Sequence, residues 1–482
     1  MQKIVVSICL FWVSVSWVTA QNASPRTNVV DIGSQRQLFV SRNLIDRLDG
    51  ATLKLHPPQA KEIVLQFDQP WEGIYSGYET VLQDGDTYRL YYRGLPVARH
   101  SLETETTCVA ESKDGIHWTK PDLQIYNVQG HATNNVVLAH NRGCHNLAPF
   151  IDTNPACPPA QRYKALGGTG APGLLAFASA DGIHWSQLQD QPVITEGAFD
   201  SQNNAFWSSS EQCYVCYFRV FREGKRWIAR TTSQDFLHWE TPQDLSVGQQ
   251  PRQHLYTNQL TPYPRAPHVY LGFPTRYFPG RQVITADEAN QIGTPDEWGY
   301  AKDCTDIQLI STTGGTQLDR TFMEAYLRPG LDLQNWTSRA SYAARGIVQT
   351  SDTELSLYVK HHAGYRSIHV RRYTLRPDGF TSVNGPFAGG SLRTVPIQFQ
   401  GRTLTVNYST SAAGSIAVEL QSVDGQPIPG YSRQDCDTLI GDRIQDVVHW
   451  QGKSDVSALA DRPIRLCVYL SDADLFSYQF VE

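Results

Sequence analysis

After its first twenty residues the sequence has no second apolar run long enough to cross a bilayer, and it has no surplus of positive charge. Its 41 basic and 47 acidic residues give a net charge of −6, so no basic field exists to hold DNA or RNA, and nucleic-acid partners are excluded as a class. Metal-binding signatures are missing too. There is no His-Glu-x-x-His and no cysteine-rich cluster, and His361 and His362 are neighbours that point opposite ways on a strand, so no metal or other cofactor is expected. Long helices are equally hard to find, because apolar residues do not recur at a period of about 3.6 over any extended stretch.

The opening "MQKIVVSICLFWVSVSWVTA" has a basic start at Lys3, an apolar run and a small-residue end, the pattern of a secretory signal peptide. Cleavage after Ala20 is expected, leaving a secreted or periplasmic protein with no stable membrane insertion. The competing reading, a membrane anchor, is weakened by a run barely long enough to span. Export makes disulfides permissible among the eight cysteines beyond Cys9, and Cys436 with Cys467 is the first pair to test. Cys213 and Cys216 in "CYVCYFRV" lie three apart in a strand-like run and face opposite ways, which suits an ordinary strand better than a zinc or redox site.

What the sequence does contain is a repeat. "ESKDGIHW" (111–118) returns as "ASADGIHW" (178–185) and "TSQDFLHW" (232–239), with degenerate copies "STTGGTQL" from Ser311 and "TLRPDGF" from Thr374. The opening Ser or Thr of successive copies lie 67, 54, 78 and 63 residues apart, a period that signals a repeat architecture. Short runs rich in Tyr, Phe, Val and Leu precede each copy, broken by turns such as Asp84-Gly85 and Asp114-Gly115. Each unit therefore reads as a four-stranded antiparallel blade, and five blades close into an all-β, five-bladed β-propeller over residues 21–387. The segment "QRQLFVSRNLI" (35–45) is the candidate for a strand that closes the ring. Beyond "GPFAGG", residues 388–482 show strands and turns of another period and read as a C-terminal β-sandwich, with the two prolines of "SVDGQPIPGY" confining that stretch to an edge.

The Asp-Gly turn falls between the third and fourth strands, on the face opposite the start of the inner strands. Trp118, Trp185 and Trp239 recur at one place in three blades, as fillers between sheets would. The motif is thus expected to be structural, since catalytic Asp or His residues there would repeat one chemistry around a ring.

Five strand-plus-"S-x-D-G-x-x-W" units followed by a sandwich resemble the five-bladed propeller glycosidases, the superfamily of glycoside hydrolase families 32, 43, 62, 68, 117 and 130. Six-bladed sialidases carry a related box with one more residue between Asp and Gly. The resemblance implies carboxylates on the inner strands of the first three blades. In "YSGYETVLQDGDTYRL" that position falls on Tyr78 or Glu79, and only Glu79 carries charge. In "CHNLAPFIDTNP" it is occupied by Asn146, a departure that removes a charge, while Asp152 matches a hairpin aspartate with a structural role. In "ITEGAFDSQNNAFW" it falls near Ser201 or Gln202, with Asp200 beside it and Glu196 farther off. Glu79 and Asp200 are the implied catalytic pair.

Blade geometry adds a second group. "YYRG", "YFRV" and "PTRY" place Arg93, Arg219 and Arg276 at or near the end of a second strand, where forked guanidinium groups suit carboxylate or sulfate oxygens. Trp71, Tyr78, His145, Asn146, Gln202, Asn203, His254 and Asn258 are the aromatic, imidazole and amide groups available for sugar stacking and hydroxyl recognition. The long irregular segment 276–304 is expected to overhang the same face. These readings converge on an exported glycoside hydrolase acting on a poly- or oligosaccharide, with an anionic glycan favoured by the three arginines. The alternatives are a non-catalytic carbohydrate-binding propeller and a sialidase-like enzyme.

Overall fold

The computed structural model describes residues 29–97, 101–294 and 297–482, so the signal-like segment 1–20 lies outside it. Among the described residues no helix is long and apolar enough to cross a membrane. Strands dominate, in five blade-like sheets and one larger C-terminal sheet.

Blade I runs outward from Gly77–Asp84 through Thr87–Gly94 to Thr106–Ser112, which pairs with both Trp118–Thr119 and Val136–Ala139. Blade II is Ala148–Ile151, Tyr163–Gly167, Leu175–Ser179 and Ser186–Gln187, and blade III is Asn204–Ser208, Cys213–Arg222, Lys225–Ser233 and Gln243–Asp244. Blade IV has Thr261–Tyr263, Ala266–Gly272 and Ile310–Thr312, with a separate hairpin of Thr275–Phe278 and Cys304–Ile307. Blade V joins Tyr342–Ala343 and Val348–Ser351 to Glu354–His361 and His369–Leu375. Inner strands of successive blades touch from I to IV, blade V returns to blade I, and blades IV and V share one apolar core.

The strand that completes blade V is Gln59–Gln66, paired with His369–Leu375, and not the 35–45 segment expected to close the ring. That earlier segment joins the C-terminal sheet instead: Gln37–Leu38 pairs with Arg465–Val481 and Ile45–Asp49 with Gly390–Thr394. Its apolar residues explain the choice, since Phe39 is buried against Tyr478 in the sandwich core. Thr52–Leu55 and Thr381–Gly385 also pair within this sheet. Its two longest strands, Thr403–Gln421 and Arg465–Val481, run side by side with a register break between Thr410 and Ser415.

The repeated motif builds the same local lattice three times. In the first copy the Ser112 hydroxyl accepts from the Gly115 amide, and Asp114 Oδ1 accepts from the amides of Ile116 and His117. Trp118 donates through Nε1 to the Gly115 carbonyl, which also accepts Tyr358 of blade V at 2.6 Å. Copy two repeats this with Trp185 and with Tyr91 of blade I on the Gly182 carbonyl. The box is a staple between neighbouring sheets. In the third copy Phe236 holds the glycine's place at φ 72°, fully buried, and its ring packs on Phe150, Tyr214 and Trp239. The fifth copy has a different use. Asp378 is buried where propeller and sandwich meet, and accepts from Arg36, Arg265, Tyr263, Asn407 and Ser477.

All eight described cysteines are free thiols, Cys436 and Cys467 included, so the first candidate disulfide is not formed. Cys213 and Cys216 are both buried in one strand of blade III, whose first eight residues are covered on both faces.

Removing one partner from a buried ion pair strands the other charge, at a typical cost of about 3–5 kcal/mol. Asp378→Ala is accordingly expected to lower the denaturant midpoint sharply, because Arg36 and Arg265 both lose their counter-charge. A midpoint within experimental scatter of the wild type would show that the propeller and the sandwich do not depend on this contact.

Candidate functional site

The inner strands of blades I, II and III begin on one face, and the side chains at these starts share a polar floor. Tyr78 and Asn146 both adopt positive φ, 57° and 54°, although neither is glycine. Such backbone is uncommon and is retained where surrounding contacts over-determine it.

Glu79 is wholly buried, and neither carboxylate oxygen has a hydrogen-bond partner among the described residues. Burial raises its pKa; the charges of Lys360 and Arg93 act in the opposite direction without cancelling the effect. Asp200 differs in every respect. Its side chain is about half exposed, it contacts His145 Nε2 at 3.2 Å, and it lies 3.9 Å from Arg219. Partial burial opposes ionisation of Asp200, but the hydrogen bond and field of His145, then Arg219 and Arg93, outweigh it and hold the carboxyl well below the usual range. Arg93 therefore acts on both carboxylates at once.

His145 caps the short 3-10 turn Arg142–Cys144 and stands between two acids, with Nδ1 2.9 Å from Glu105 and Nε2 facing Asp200. Asn146 accepts from Arg93 at 3.0 Å and donates to the Ser201 carbonyl at 3.0 Å, joining blades I, II and III without bringing a charge. The Arg93 guanidinium also donates to the Tyr75 carbonyl and lies 4.9 Å from the centre of the Tyr78 ring. Arg219 donates to the Ala198 carbonyl and stands 5.4 Å from the Tyr256 ring.

Other candidates go elsewhere. Arg276 is held by Asp306 through two 2.6 Å bonds and by the Met323 carbonyl. The reason is the strand break in blade IV: the second strand ends at Gly272, and Arg276 belongs to the extra hairpin that follows. Trp71, considered as a stacking platform, is packed in the core of blade I with its Nε1 on Asn135. Gln202 donates to the carbonyls of Tyr78 and Glu79, Asn203 to those of Phe199 and Ser201, and Asn258 to those of Gln202 and Tyr217, so these amides stitch the wall. His254 is half-buried, accepts from the Arg226 amide and meets Tyr277 edge-on. Asp152 pairs with Lys164 of blade II and accepts from Tyr214 of blade III, a structural role like the one expected for it.

Three residues of the site escaped the sequence reading. Glu105 stands just before the third strand of blade I, outside the inner strands searched for acids. Arg226 stacks 4.8 Å from the rings of both Tyr256 and Tyr277. Lys360 had a visible signal: "LYVK" in blade V repeats the aromatic-x-basic ending of "YYR" and "YFR" in blades I and III. The 276–304 segment carries a short helix, Ala286–Gln291, with a Thr285/Glu288 capping box, and Thr294 bonds Tyr365 of blade V. It thus reaches the turn between the second and third strands of blade V, the face where the inner strands begin. Among the described residues no cluster suited to a metal ion occurs.

No family model and no curated protein matches the sequence. Solved structures do resemble the chain. A glycoside hydrolase family 43 arabinoxylan arabinofuranohydrolase from Bacillus subtilis, solved with cellotetraose, aligns at TM-score 0.40 and 10% identity over 88% of this chain and 99% of that one. A glycosyl hydrolase from Bacteroides ovatus aligns at TM-score 0.40 and 14% identity over 74% and 96%. An N-acetylgalactosamine deacetylase from F. plautii, solved with a blood group B trisaccharide, aligns at TM-score 0.41 and 12% identity over 69% and 95%. At such low identity the likeness concerns shape, and the chemistry of this site rests on its own residues.

The Arg276–Asp306 pair yields a direct test. Arg276→Ala leaves a mostly buried carboxylate unpaired, and a loss of about 3 kcal/mol in unfolding free energy is expected by chemical denaturation. A stability change under about 1 kcal/mol would mean that the pair behaves as an exposed one.

Proposed function

We propose that the chain is an exported glycoside hydrolase acting on a poly- or oligosaccharide, with Glu79 as the general acid and Asp200 as the ionised partner. The observation that carries this reading is the opposed electrostatics of two carboxylates within the field of one guanidinium, Arg93. Cleavage of a glycosidic bond needs a carboxyl that still holds its proton and a second one that has lost it. Glu79, deprived of water, favours the protonated form; the proton passes to the leaving oxygen as the carbon–oxygen bond breaks. Asp200, reached by solvent, either bonds the anomeric carbon itself or takes the proton of the water that does, and the water consumed supplies the hydroxyl of the new sugar end and the proton that restores Glu79. Tyr78, Tyr256 and Tyr342 pack on one another at the floor of this site.

An anionic glycan remains the favoured class, although Arg276 no longer supports it. The cations at the ends of the second strands are Arg93, Arg219 and Lys360, from blades I, III and V. Arg226 adds a fourth, with its Nε unpartnered among the described residues.

The test is turnover on a panel of neutral, uronic and sulfated glycans. Glu79→Gln and Asp200→Asn should each lose about 10²–10⁴-fold in kcat while folding normally. The pH profile follows from the signs: activity fails at low pH only where Asp200 takes up a proton, far below the usual carboxylate range. It fails at higher pH where Glu79 gives up its proton, above that range. Glycan binding with no turnover across the panel would favour the carbohydrate-binding reading, for which the neutral Asn146 is the supporting feature.

A further inference from the structure

The acid assigned to Glu79 has a companion that no sequence argument identified. Lys360 ends the second strand of blade V, Glu354–His361, and its side chain is buried. The ammonium Nζ stands 4.4 Å from the centre of the Tyr342 ring and 5.6 Å from that of Tyr78, a desolvated cation held by aromatic faces. It donates to the Ser76 carbonyl at 3.3 Å. Gly77 makes the room for it: a Cβ at that position would fall 2.1 Å from Nζ. The lysine is thus seated against the start of the strand that carries Glu79 two residues later.

Four elements bring charge or titratable groups to this pair. The second strand of blade I contributes Arg93, the stretch before the inner strand of blade V contributes Arg339, and the two inner strands contribute the phenols of Tyr78 and Tyr342. Asp200 and Glu105 are engaged with His145. Asn146 is neutral. Lys360 is therefore the cation that acts most strongly on Glu79, and Glu79 is the anion that acts on Lys360.

We propose that Lys360 tunes Glu79, as the positioning residue that keeps this buried carboxyl acidic enough to surrender its proton to a leaving-group oxygen. A wholly buried carboxyl would otherwise hold that proton more tightly than an acid acting on a leaving oxygen can. A like-charged aspartate beside Glu79 would only raise its proton affinity further. What burial leaves wanting is a limit to that rise, and a cation supplies it. The same burial pushes the lysine down to about 8, and the Glu79 carboxylate acts against that fall.

The purpose of this tuning rests on the glycosidase reading, but its test needs no substrate. The carboxyl signals of 13C-glutamate-labelled protein are titrated by NMR, with Glu79 assigned through its loss in Glu79→Gln. In Lys360→Met the Glu79 midpoint should rise by about one pH unit or more, a tenfold or larger gain in proton affinity, and Lys360→Arg should bring it back toward the wild-type value. An unchanged midpoint in Lys360→Met overturns the proposal. Should that variant not fold, the reciprocal effect decides: in Glu79→Gln the Lys360 13Cε signal should titrate below its wild-type midpoint, and an equal midpoint overturns the proposal equally. Because the resting protein is read, the coupling can fail while glycan turnover persists, and turnover can be absent while the coupling is found.

Discussion

A single guanidinium on the propeller axis holds the ring to its geometry. Arg345 leaves the inner edge of blade V and donates to the Pro149 carbonyl of blade II at 2.8 Å and to the Ala205 carbonyl of blade III at 2.7 Å, while its own amide donates to the Glu79 carbonyl of blade I. Gln202 carries blade III back to blade I, and Gln259 links blade IV to Gln202 and to the Ala343 carbonyl of blade V. Blades I, II, III and V are thus tied through backbone carbonyls at their inner edges, and blade IV through the Gln259 side chain. Burial lowers Arg345 to about 10, yet the group has no carboxylate partner among the described residues. Its charge is spread over carbonyl dipoles, which satisfy donors without fixing a counter-ion at the centre.

This constraint reaches the site directly. The carbonyls tied by Gln202 and Arg345 belong to Tyr78 and Glu79, so the backbone that presents the acid is clamped from two other blades. The strained φ of Tyr78 and Asn146 becomes tolerable because their neighbours leave no alternative. Within that rigid frame the two acids differ by exposure and by partners. Glu79 is shut away with a cation that does not bond it, whereas Asp200 faces solvent and is hydrogen-bonded.

Much of the architecture was legible because the motif recurs about once per blade, and because its tryptophans mark the turn after the third strand in three blades. Glu79 and Asp200 could be nominated because inner-strand starts can be counted from those turns. The errors have physical causes. A strand's partner cannot be read from its own alternation, so 35–45 reads as the ring-closing strand, whereas burial of Phe39 in the sandwich draws it into the C-terminal sheet. Arg276 was misplaced by a strand break at Gly272 that inserted a hairpin. Lys360 was overlooked because a lysine in an apolar strand ending reads as surface, and only the aromatic faces of Tyr342 and Tyr78 show why it is not.

The closing strand carries a consequence for how the molecule is made. Val30–Gly33 pairs with Ile397–Phe399, and Gln37 pairs with Tyr478, so the first described residues find their partners only among the last. Blade V cannot close until His369–Leu375 has been made to meet Gln59–Gln66, and the sandwich cannot until Arg465–Val481 is present. The N-terminal arm stays unpaired until those distant partners exist, and non-local closure of this kind is intrinsically slow. The order of events would run from the inside of the sequence outward: blades I to III, built from consecutive segments, can form early, blade V closes the ring afterwards, and the sandwich is completed last.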